Sequence, residues 1–275
     1  FISIFKSHPL FYKAIYGGMV LSLITQVSGI SMRMYILERP PVSTLYETII
    51  FVSAITLLYA VIAYRKDKDA LWLWLGVSLN VVLHFLSFAH DQDGDSMLML
   101  SAVLNTNFWL ATHVLCITIG YGFCALTSLL AHYTLGHMIV HKSDYPDGAL
   151  FGKTHTAALL ALFFATIGTV LGGIWADQSW GRFWGWDPKE NGAMLICLWL
   201  IWVIHARLCG QFNQRQVLYG LSYLSVILSL SWFGVNLLGV GLHSYGFTDS
   251  AIWGLAGFIA AETLFILGCV VLLNQ

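Results

Sequence analysis

Trp175, Trp180, Trp184 and Trp186 all fall within the stretch WADQSWGRFWGWDPKEN, residues 175–191, between two long apolar runs. An indole is large and mostly apolar, so four of them around a polar hinge suit a flat apolar ligand. The competing reading is the aromatic belt that flanks any bilayer. His113 and His243 tip the balance, because they flank this stretch in sequence and share its predicted side of the membrane. Haem iron takes one axial ligand on each face of the macrocycle, and neutral imidazole is a good one. The tryptophans would supply the flat contact. Arg182, Lys189, indole N–H groups and helix N-termini would supply donors for the propionates.

The elements that position these groups follow from composition. Of the 275 residues, 58% are hydrophobic and 10% are charged, and the mean hydropathy is +0.74. That balance belongs to a polytopic membrane protein, and a net charge of −1 gives no basis for binding nucleic acid. The expected fold is an all-α transmembrane bundle forming a single domain over residues 1–275. About 20 apolar residues span a hydrocarbon core. Eight such segments are predicted near 11–30, 44–64, 70–90, 107–136, 154–176, 188–209, 215–238 and 251–273. With the N-terminus inside, nine basic residues face inward: Lys6, Lys13, Arg65, Lys66, Lys68, Lys142, Lys153, Arg207 and Arg215. Four face outward: Arg33, Arg39, Arg182 and Lys189. The positive-inside rule therefore predicts N-in and C-in, with the tryptophan stretch outside. The chain begins at Phe1, which suggests a processed chain or part of a larger complex or fused polypeptide.

Several other groups are read conservatively. Asp187, Pro188 and Glu190 have the order of an N-cap, a first-turn proline and a capping-box partner, so Asp187 need only fix how the hinge enters the next helix. In the same way Ser43 or Thr44 can cap the second span, with Glu47 in its first turn. The three aspartates Asp91, Asp93 and Asp95 read as a solvated loop. The five cysteines form no CxxC and read as small apolar packing. Within the membrane His84, His205 and Glu262 are candidate functional groups, because ionisable side chains are expensive there. His84 and His205 are expected at different depths. A haem at His205 would then take its second ligand from a partner.

Five stretches, in order, resemble the WWD-type haem-handling proteins of cytochrome c maturation. They are PVSTLYET, FWLATHVLCITIGYG, WGRFWGWDPKENGAM, WVIHAR and FGVNLLGVGLHSYGF. Within that group the chain is most similar to the CcsA-type subunit of the System II cytochrome c synthase, which also occurs fused to a CcsB portion. The resemblance implies that His113 and His243 are the outer axial ligands and that His205 is a transmembrane ligand completed by a CcsB-like partner. It also implies that haem b is the cargo and apocytochrome c, through its CxxCH motif, the acceptor. The expected location is the bacterial cytoplasmic membrane, or a thylakoid membrane for a plastid homologue. The alternative within the group is a haem exporter or chaperone-loading protein without ligation activity. A cytochrome b-like quinone oxidoreductase is disfavoured, because no span carries two histidines about 13–14 residues apart.

Overall fold

The computed structural model describes residues 9–91, 106–235 and 249–273. The regular elements among the described residues are all helices, and eight of them are long and apolar enough to cross a membrane. They are α1 (Pro9–Leu37), α2 (Leu45–Asp67), α3 (Leu71–Asp91), α4 (Asn107–His141), α5 (Gly148–Trp180), α6 (Pro188–Leu208), α7 (Gln214–Gly234) and α8 (Asp249–Leu273). In hydrocarbon every backbone N–H and C=O must be satisfied within the segment, which a helix does. The chain is a multi-pass membrane protein.

The helix starts are written in polar side chains. Thr44 accepts from the Glu47 N–H, and the Glu47 carboxylate reaches back to the cap, closing a capping box on α2. Asp187 with Glu190, and Asn213 with Gln216, do the same for α6 and α7. Asp147 caps α5 through the N–H groups of Ala149 and Leu150, and these bonds hold its carboxyl below the usual carboxylate range. Left-handed residues end α2 at Lys68, α4 close to Lys142 and α5 at Gly181.

The helices fall into two compact units, Phe1–Leu110 and Ala111–Gln275. In the first unit α1, α2 and α3 pack around Met19, Leu57, Ala60 and Leu73. In the second, α4 and α5 approach most closely. A Cβ on Gly168 would lie 2.8 Å from the Ile117 backbone, and one on Gly120 would lie 2.9 Å from the Ala165 nitrogen. Close backbone approach at small residues is how membrane helices gain dispersion contact in place of a hydrophobic drive. α6 meets α7 where Ser231 donates to the Gly192 carbonyl at 2.9 Å and the Trp199 indole donates to the Gly220 carbonyl at 2.8 Å. α8 is tied to α4 by a 2.8 Å contact between His132 Nε2 and Glu262.

Candidate functional site

His113 stands on a π-helical turn, Leu110–Val114, inserted near the start of α4. A π-turn rotates the following residues about the helix axis and is common at functional positions. Here it accompanies a specific orientation of the ring. His113 Nδ1 lies 2.7 Å from the Gly168 carbonyl on α5. A carbonyl only accepts, so Nδ1 carries the proton and the lone pair of the neutral ring sits on Nε2. This is the arrangement a metal-ligating histidine uses, with one ring nitrogen anchored to a backbone oxygen and the other presented to the metal.

The wall beside the ring is shaped by glycine. A Cβ on Gly172 would lie 2.6 Å from His113 Cε1 and 3.0 Å from its Nδ1, so the imidazole rests against bare backbone. Trp175, one turn further along α5, packs against the ring with centroids 5.7 Å apart. Only Gly leaves room for an imidazole so near a helix backbone.

The tryptophan stretch is shorter as a hinge than its sequence suggests. Trp175 and Trp180 are helical, because α5 continues to Trp180 and its left-handed cap at Gly181. The span was expected to end near 176, since about 20 residues cross a bilayer, but α5 keeps its helical bonds beyond that length. The hinge proper is 181–187. Trp175 is buried within the second unit, whereas Trp186 is 69% exposed at a positive φ of 58°. Trp184 and Trp186 meet edge to face at 6.3 Å. Phe183 covers Gly173 on α5.

Glu190 organises this hinge. Its Oε2 accepts the backbone N–H of Gly185 at 2.8 Å and of Asp187 at 3.1 Å, and its Oε1 lies 3.4 Å from Arg182. Arg182 lies across Gly185, where a Cβ would strike the guanidinium. Asp187 is buried and accepts the Lys189 N–H at 2.9 Å, as its N-cap reading requires. The Lys189 ammonium donates to the Trp232 carbonyl at 2.9 Å. Trp232 belongs to a second π-turn, Leu230–Gly234.

His243 itself lies outside the described residues, as do Asp93 and Asp95. His205 lies in the last turns of α6, exposed, with Nδ1 held by the Ile201 carbonyl at 2.9 Å. Trp202 is exposed beside it. α4 and α6 are separated by the single span α5 and so run the same way, which puts His113, near the start of α4, and His205, near the end of α6, toward opposite ends of the second unit. His84 belongs to the first unit, where its Nδ1 faces the Asn80 carbonyl at 2.9 Å. Glu262 finds its partner in His132, whose ring also stacks on Phe265 and meets the Ser222 hydroxyl. All five cysteines are free thiols. Gly168, Gly172 and Phe183 carry no chemical signal in sequence, because their roles depend on which helices meet.

The family described as "Cytochrome C assembly protein" matches residues 42–243, which include His113, the hinge, His205 and His243. Protein NrfI of Wolinella succinogenes is 32% identical over 230 residues, covering 80% of this chain and 25% of that protein. The cytochrome c biogenesis protein CcsA of Guillardia theta is 27% identical over 276 residues, covering 90% of each. The CcsA of Chlamydomonas reinhardtii is 30% identical over 222 residues, covering 75% of this chain and 61% of that protein. The chain therefore spans about a quarter of the Wolinella protein and most of the Guillardia one.

Proposed function

Because this chain belongs to the cytochrome c assembly protein family, we propose that its part in cytochrome c maturation is to move haem outward and join it to apocytochrome c. The observation that carries the reading is His113, anchored through Nδ1 to Gly168 so that the Nε2 lone pair is set for iron. His243 supplies the opposite axial ligand. Trp184, Trp186 and Phe183 form the apolar contact, and Trp175 holds the His113 ring from behind. Trp180 completes the aromatic wall, Arg182 faces the propionates, and Asp187 fixes the hinge by capping α6. His205 ligates a haem in transit, with its second ligand from a CcsB-like partner or fused portion.

In the joining step each CxxCH thiol adds across a haem vinyl group. The sulfur bonds to the inner vinyl carbon and the thiol hydrogen goes to the terminal one, so a thioether forms with no net redox change. Reduced iron and reduced thiols are prerequisites, because oxidised cysteine cannot add. What the protein contributes is positioning, and a well-oriented encounter is worth about 7–11 kcal/mol of barrier in favourable cases. The histidine of the acceptor motif then replaces one outer axial ligand, which frees the product.

The test is holocytochrome formation in cells carrying His113→Ala, His243→Ala and the double variant, with haem read by visible spectrum and pyridine haemochrome. The double variant is expected to give no holocytochrome. Normal maturation by a folded double variant would remove the proposal. Haem delivered to an acceptor with no thioether formed would favour the export-only reading.

A further inference from the structure

A cavity of about 390 Å³ lies inside the first unit, between the C-terminal half of α1, the first turns of α2 and the last turns of α3. That is the size of a small-molecule pocket. Ile50 and Phe88 contribute apolar wall, and Gln26, Arg33, Glu47 and His84 contribute polar groups.

Two of those polar groups are already committed to each other. Glu47 Oε1 accepts from Arg33 at 2.9 Å, and Glu47 Oε2 accepts from the backbone N–H groups of Ser43 at 2.8 Å and Thr44 at 3.1 Å. This carboxylate is a fixed rim of the cavity, held between Arg33 on α1 and the backbone at the α2 cap. The other two present acceptors. His84 Nδ1 faces the Asn80 carbonyl at 2.9 Å, so the proton is on Nδ1 and the lone pair on Nε2. Gln26 is 8% exposed; its Nε2 donates to Ser22 at 3.0 Å, and its buried Oε1 has no hydrogen-bond partner among the described residues. A buried amide oxygen left unpaired is unfavourable, and a ligand donor would relieve it. Ser22, Asn80 and Ser53 join the two side chains in one hydrogen-bonded chain, which fixes their polarity.

A ligand that fits must offer apolar surface to Ile50 and Phe88 and must donate at two points. We propose that this cavity binds the ring of a membrane-borne quinol in its dihydroxy form, with its hydroxyls donated to His84 Nε2 and Gln26 Oε1. The oxidised quinone carries two carbonyl acceptors and would face acceptors on both sides. The site therefore selects the reduced form. This inference rests on the first unit alone and holds whether or not His113 ligates haem.

The experiment is direct binding of decylubiquinol and decylubiquinone to the whole chain in lipid nanodiscs, under anaerobic conditions, by calorimetry. The quinol is expected to bind about tenfold tighter than the quinone, and His84→Leu and Gln26→Leu are each expected to weaken quinol binding by about tenfold. Gln26→Leu removes the unpaired acceptor together with one bond to Ser22 and is expected to fold, so it remains informative if His84→Leu misfolds. Equal affinity for the two redox forms, or variants that bind like the wild type, would overturn the proposal. So would loss of a haem Soret band in His84→Leu with no quinol bound by the wild type, because His84 would then be an iron ligand.

Discussion

At His113 a single backbone carbonyl decides what the ring can do. The bond from Nδ1 to Gly168 sets the tautomer, and the bare backbone at Gly172 sets how near α5 the ring can lie. The sequence exposes His113 as a candidate, since it lies two turns into a span and on the predicted side of the tryptophans. It does not expose Gly168 or Gly172, because a glycine's effect depends on which helix crosses it. The consequence is testable. In Gly172→Ala the new methyl would sit 2.6 Å from His113 Cε1, and the ring can escape only by swinging away from the Gly168 carbonyl. The variant is expected to fold, because the atom it meets is the end of a side chain, and to lose the Soret absorbance of the outer haem. Thermal unfolding and the visible spectrum, measured on the same sample, separate the two effects. A variant with an unchanged spectrum would show that His113 does not need this orientation to meet its ligand.

Among the helices, the connection between α5 and α6 shows both what a sequence reveals and what it hides. The start of α6 is legible because Asp187, Pro188 and Glu190 have the spacing of a capping box, and the structure contains that box. The end of α5 is less legible. Hydropathy marks where a bilayer ends and says nothing of where helical hydrogen bonding ends, so Trp180 falls beyond the predicted span although it is helix. The two π-turns are invisible to any 3.6-residue pattern. The pairing of His132 with Glu262 is hidden for another reason, since the two lie far apart in the chain. Glu190 is the residue on which the hinge depends, because one carboxylate holds Gly185, Asp187 and Arg182 together. Glu190→Ala removes both charge-assisted bonds to backbone N–H groups and is expected to lower stability by about 2 kcal/mol. Glu190→Gln keeps an amide oxygen for those N–H groups and is expected to lose less. Denaturant unfolding in detergent, read by tryptophan fluorescence, ranks the three proteins. A Gln variant as unstable as the Ala variant would mean that the ion pair with Arg182, rather than the cap, holds the hinge.

Across the whole molecule the function requires a direction, and direction rests on which end of the bundle faces out. α5 and α6, both in the second unit, are each long and apolar enough to cross a membrane. The hinge at 181–187 and the turn after α6 at Cys209 must therefore lie on opposite sides. The asymmetry of basic residues, nine against four, is the ground for expecting the hinge outside. The proposed export of haem depends on that orientation, because in that proposal the apocytochrome thiols meet haem on the hinge side. The chain carries its own internal control. Of its five cysteines Cys209 is the exposed one, while Cys124, Cys197 and Cys269 are buried and Cys116 is half-buried. Trp186 is exposed at the tip of the hinge, so Trp186→Cys places a second accessible thiol on the other side. A membrane-impermeant maleimide added to intact cells is expected to label position 186 and to spare Cys209 until the membrane is permeabilised. The Trp186→Phe protein, treated identically, reports any background at Cys209. The opposite pattern would put the hinge in the cytoplasm. His113 would then stand at the entry of the haem path, and His205, at the other end of the bundle, would have to serve the acceptor.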